Sequence, residues 1–67
     1  MALGIVKWFN AEKGYGFIKP DDDGHDIFVH ISAVQKAGYT SLLEGARIGY
    51  ELKPDRKGKL VAQDLRL

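Results

Sequence analysis

Lys13-Gly14-Tyr15-Gly16-Phe17-Ile18-Lys19 is the stretch on which the fold turns. Side chains of a β-strand alternate between its two faces. Tyr15, Phe17 and Lys19 therefore share one face, while Gly16 and Ile18 take the other. The run Asp26-Ile27-Phe28-Val29-His30-Ile31 repeats the pattern. Phe28 and His30 lie with Asp26 on one side, and Ile27, Val29 and Ile31 oppose them. An ordinary half-exposed strand carries Thr, Lys or Glu on its outer face, not a row of rings.

Outward from these two runs, glycine and proline mark short segments rich in β-branched and aromatic residues, the pattern of a small sandwich or barrel. Ile5-Val6-Lys7-Trp8-Phe9 precedes them and is closed by Asn10-Ala11-Glu12-Lys13-Gly14. Pro20 and Asp21-Asp22-Asp23-Gly24 separate the second and third runs. Ser32-Ala33-Val34 reads as a single helical turn with Ser32 as its cap. A long polar connection over 35–45 leads to Arg47-Ile48-Gly49-Tyr50-Glu51-Leu52. The turn Pro54-Asp55-Arg56-Lys57-Gly58 then leads to Lys59-Leu60-Val61-Ala62-Gln63-Asp64-Leu65. The expected fold is all-β, a five-stranded antiparallel OB-type barrel with a short helical turn after the third strand. One domain is expected over residues 1–67.

The aliphatic set Val6, Ile18, Ile27, Val29, Ile48, Leu52, Val61 and Leu65, with Tyr50, supplies an adequate small core. A barrel this small cannot bury both faces of one sheet, so Tyr15, Phe17, Phe28 and His30 are left outside. Contiguous exposed apolar surface marks a binding site. Lys7, Lys13 and Lys19 flank the rings, and flat π-faces beside cations suit single-stranded nucleic acid. Glycine at 14 and 16 is expected to thin one face of the strand so that neighbouring rings lie flat.

Gross composition narrows the rest. A chain of 67 residues buries only roughly 60% of its unfolded surface, so its stability is modest. With no cysteine there is no disulfide and no thiolate metal site. No stretch reaches the length of a membrane span, and no signal peptide is recognisable at the start, so a cytoplasmic protein is expected. Lys and Arg total 10 against 9 acidic residues, a net charge of +1 that by itself says little about a nucleic-acid partner.

Lys13-Gly14-Tyr15-Gly16-Phe17-Ile18 resembles the aromatic-glycine nucleic-acid motif RNP1, and Ile27-Phe28-Val29-His30-Ile31 resembles its companion RNP2. With Val6-Lys7-Trp8-Phe9-Asn10 ahead of them, the chain from Gly4 to Leu65 resembles a bacterial cold shock protein. The resemblance implies a sequence-tolerant binder of single-stranded RNA and DNA, acting as an RNA chaperone. By position it assigns base stacking to Trp8, Tyr15, Phe17, Phe28, His30 and Tyr39. It assigns polar and phosphate contacts to Lys7, Lys13 and Asn10. Ile31 stands in the site where the family usually has Phe, and its loss as a platform weakens binding by about 1–3 kcal/mol. Lys59 stands where proline is common. Trp8 and Lys7 are adjacent, so a bulge is needed to put both on one face.

Other chemistry lacks its residues. His25 and His30 with Asp23 and Asp26 fall short of a closed ligand set, and no nucleophile or carboxylate pair has a partner at useful spacing. No enzyme activity, metal or cofactor is expected, and the chain is expected to be a monomer. The Asp21-Asp22-Asp23 turn either repels phosphate or faces away from the rings. Arg56, Lys57 and Lys59 read as a solvated cluster, with extra phosphate contact as the alternative. Competing functions are a protein-interaction patch and an oligosaccharide-binding OB fold. Salt dependence separates both from nucleic-acid binding.

Overall fold

The computed structural model describes residues 2–67; Met1, the first residue of the expected domain, lies outside them. The strands are β1 Ala2–Asn10, β2 Tyr15–Pro20, β3 Ile27–His30, β4 Arg47–Pro54 and β5 Leu60–Arg66, with helix α1 Ile31–Lys36 after β3. They form one antiparallel sheet in the order β3-β2-β1-β4-β5. The sheet coils until its edge strands β3 and β5 lie against each other. No hydrogen-bonded ladder joins those edges, so the all-β barrel is partly open.

Alternation decides what goes inside. Val6, Ile18, Val29, Ile48 and Leu65 are buried as expected, and so is the ring of Tyr50. The core also takes Ala33 and Val34 from α1, Leu42 from the polar connection, and Ala62. Two expected members are placed differently. Leu52 is 43% exposed, because the β4–β5 hairpin projects past the barrel and every residue over 51–60 is exposed. Ile27 is only half-buried, packed against the edge of the core, while Val61 is buried as expected although Ala62 holds the inward position of β5.

Two irregularities reset the alternation. In β1, Val6 pairs with Ile18 and Trp8 with Phe17, so Lys7 is the extra residue of a bulge. In the β4–β5 ladder the register slips between Gly49 and Glu51. There β5 carries the surplus at Asp64, whose φ of 50° is in the left-handed region.

The local ends also differ from expectation. β3 stops at His30, and Ile31 begins α1, its N–H bonded to the Gly14 carbonyl at 2.8 Å. The helix is capped by His30 and not by Ser32, because the His30 side chain accepts from the Ser32 N–H. Gly16 lies on the inner face and does not make room for the outer rings. A Cβ there would stand 2.3 Å from the Trp8 carbonyl oxygen and 2.7 Å from Phe9 Cα. Its hydrogen lets the bulged strand approach.

Candidate nucleic-acid interface

The Lys7 bulge turns Trp8 onto the face where alternation already places Tyr15 and Phe17. Trp8 and Phe17, cross-strand partners, stack at 6.3 Å with 27° between planes. Tyr15 meets Trp8 edge-on at 5.4 Å and lies nearly parallel to Phe28 at 5.7 Å. Phe17 meets Tyr15 and Phe28 edge-on at 6.2 and 5.9 Å. The four rings thus form one continuous surface across β1, β2 and β3. Each is half-buried against its neighbours and open outward, so the rings contribute to stability as well as presenting π-faces.

His30 continues the surface, exposed and opposite Tyr15 in the ladder. Ile31, half-buried beside Gly14, borders it at the start of α1. Tyr39 stands apart: it is 37% exposed beyond the helix and joins no ring pair among the described residues.

The polar residues divide. Lys7 Nζ reaches Asp26 at 2.8 Å, both side chains open to solvent. Such a surface pair is worth about 0–1 kcal/mol, so a phosphate can replace the carboxylate. Asn10 is occupied with local structure, its Oδ1 accepting from the Glu12 and Lys13 N–H groups at 2.9 and 3.0 Å. That turn, closed by Gly14 at φ 83°, holds Lys13 exposed beside the rings. Lys19 is exposed on the ring face of β2.

The acidic turn leans elsewhere. Asp21 pairs with Arg47 of β4 at 3.0 Å, and its N–H bonds Leu3 O at the start of β1. Burial raises the Tyr50 phenol pKa above 10.0, and the charges of Asp22 and Asp21 add to the effect. Both carboxylates therefore belong to the β4 side of the barrel.

The basic turn between β4 and β5, by contrast, borders the rings. Lys59 Nζ sits 5.9 Å from the Phe28 ring centroid, within cation–π range. A groove of about 580 Å³ runs between the turn and β3, lined by Phe28, His30, Ser32, Arg56, Lys57 and Val61 among others. Asp55 also borders it, its Oδ1 accepting the Lys57 and Lys59 N–H groups at 2.8 and 3.0 Å. Sequence separation hid this neighbourhood, because only barrel closure brings β5 to β3. The cationic run at 56–59 was its one visible sign.

Among the described residues, no three His, Asp or Glu side chains converge as a metal site would require, and no helix is long and apolar enough to cross a membrane.

Comparison with known proteins shows the family. Residues 2–67 match the family model described as the 'Cold-shock' DNA-binding domain. The chain is 61% identical to "Probable cold shock protein y4cH" of Sinorhizobium fredii over 97% of its own length and 96% of that protein's. It is 54% identical to "Cold shock protein CspA" of Rhizobium meliloti, covering 98% of this chain and 97% of the relative. The "Major cold shock protein" of Micrococcus luteus is 51% identical over the full length of both. By fold, ring surface and these full-length matches, the chain belongs to the cold-shock domain family of nucleic-acid-binding proteins.

Proposed function

We propose that the chain binds single-stranded RNA and DNA with little sequence preference and acts as a cytoplasmic RNA chaperone, as a monomer. The observation that carries this reading is the continuous cluster of Trp8, Tyr15, Phe17 and Phe28, facing outward between cations. Rings spaced across three strands offer successive bases a stacking surface, each stacked base contributing about 1–3 kcal/mol. Every base has a π-face, so the selection is for unpaired strands rather than for a sequence. In a duplex those faces are already stacked on one another.

Lys7, Lys13 and Lys19 on one flank, with Arg56, Lys57 and Lys59 on the other, supply the phosphate contacts. Each phosphate engaged adds about −0.7 to the slope of log affinity against log salt for a single strand. The chaperone mechanism is passive. A ligand that binds only the open strand shifts a hairpin equilibrium toward it, by as much as its differential affinity and no more. No energy source is needed.

The test is a labelled RNA hairpin of marginal stability, titrated with protein at low and high salt. Opening at low salt that reverses as salt rises is expected. A hairpin unaffected at saturating protein refutes the chaperone reading. Single-strand affinity indifferent to salt moves the ring surface to a protein or sugar partner.

A further inference from the structure

His30 closes β3 and caps α1, and this double position fixes its chemistry. Its Nδ1 lies 3.1 Å from the Ser32 backbone nitrogen and 2.9 Å from Ser32 Oγ. A backbone N–H can only donate, so Nδ1 must carry a lone pair. In the neutral ring the single proton is then on Nε2. The Ser32 hydroxyl can rotate to donate to the same nitrogen, so that contact is compatible with the tautomer the backbone N–H sets. Among the described residues Nε2 has no partner in the chain. The ring is exposed on the wall of the groove that also holds Phe28, Arg56 and Lys57.

We infer that His30 is an oriented hydrogen-bond donor as well as a flat ring. The cap locks its Nε2–H tautomer, so the groove beside Phe28 favours a base edge that presents an acceptor atom, a carbonyl oxygen or a ring nitrogen, toward Nε2. The inference rests on the single-strand reading above and adds a preference to it. A freely turning imidazole would offer donor or acceptor as the ligand required. Held by Ser32, it offers one of the two, and a base edge carrying only donors at that point leaves both groups unpaired. Every natural base carries an acceptor, a carbonyl oxygen in thymine, uracil, cytosine and guanine and ring nitrogens in adenine, so the locked donor selects which base edge turns toward the groove rather than which base enters it.

Two measurements test it. Long-range proton–nitrogen NMR on the free protein, at mildly alkaline pH, reads the tautomer directly. A protonated Nε2 and a bare Nδ1 are expected, and the opposite tautomer or an even mixture overturns the inference. The second is a cycle between protein and ligand, using oligothymidine and strands with difluorotoluene, an apolar thymine isostere, at one position at a time. At one position the isostere should weaken binding to the unaltered protein by about 2- to 12-fold, the worth of one hydrogen bond. With His30→Phe, which keeps a ring and removes the donor, that penalty should vanish. An equal penalty in both proteins overturns the inference while leaving single-strand binding intact. Failure of oligothymidine itself to bind overturns the single-strand reading and this inference with it. Should His30→Phe not fold, the tautomer measurement on the unaltered protein still decides.

Discussion

Replacing Gly16 with alanine should break the link between the β1 bulge and the ring surface. The new methyl carbon would stand 2.3 Å from the Trp8 carbonyl oxygen, 2.6 Å from Phe9 Cδ1 and 2.7 Å from Phe9 Cα. Two of these atoms are backbone and cannot swing aside, so the β1–β2 ladder must move. Forcing atoms into a packed site costs about 1–3 kcal/mol, and rigid neighbours put this case at the upper end. Alanine gains about 0.4–1 kcal/mol by stiffening the unfolded chain, which leaves a net loss of about 2 kcal/mol. For a domain of this size each kcal/mol shifts Tm by about 4–8 °C, so a fall of about 8–16 °C is expected. Thermal melting followed by circular dichroism reads it. Gly58 is the control: φ is 81° and nothing lies within 4 Å of a Cβ. There alanine meets only the left-handed penalty of about 1–2 kcal/mol, with Trp8 undisturbed. The Gly16→Ala variant should also change Trp8 emission in the native state, and Gly58→Ala should not. A Gly16→Ala protein that melts at or above the wild-type temperature would refute the reasoning.

Other substitutions separate site from scaffold. Phe28→Ala and Phe17→Ala should each weaken single-strand binding by about 1–3 kcal/mol while the protein stays folded, read by titration beside a melt. The half-buried rings also pack on each other, so a stability loss of about 0.5–1.5 kcal/mol per lost pair accompanies it. Val29→Ala, at a fully buried position, should show the reverse, losing about 1–3 kcal/mol of stability with affinity kept in the folded protein. Lys59→Met should flatten the salt dependence by about 0.7, and an unchanged slope would place Lys59 off the strand's path. Asp64 accepts a 2.6 Å hydrogen bond from Lys53, which lowers its carboxyl below the usual 3.8. A depressed carboxylate stabilises above its unfolded pKa and loses that contribution as pH falls through the folded value. Denaturant melts at neutral pH and near pH 3, compared with those of Asp64→Asn, should therefore show the wild-type advantage fading on the acid side.

The strands were legible wherever a face alternates. Tyr15-Gly16-Phe17-Ile18 and Ile27-Phe28-Val29-His30 could be assigned inside and out residue by residue, because a buried aliphatic face leaves one register open. The Lys7–Trp8 adjacency showed that alternation had to fail there. Its resolution needed the inner-face contact of Gly16 with the Trp8 and Phe9 backbone, which no local pattern displays. The β4–β5 slip at Asp64 was invisible for the same reason, and it is why Ala62 takes the inward position of β5 beside a Val61 that is also buried. Leu52 looked like core because its strand continues past the barrel, and strand length does not say where a barrel ends. Leu42 is the one buried residue of a polar connection and has no periodic neighbours to mark it. At the site, the rings were legible through their alternation and the chain's family resemblance. The placement of Lys59 over Phe28 and the capping role of His30 depend on barrel closure and on one hydrogen bond, and neither leaves a trace in composition.

The most direct test of single-strand binding on this surface is Trp8 fluorescence during titration with a pyrimidine-rich single strand, at low and at high salt. A duplex of the same length serves as control. Saturable quenching by the single strand, weakened by salt and absent with the duplex, is the predicted result. Unchanged emission with both nucleic acids, even with the single strand in large excess at low salt, would contradict it.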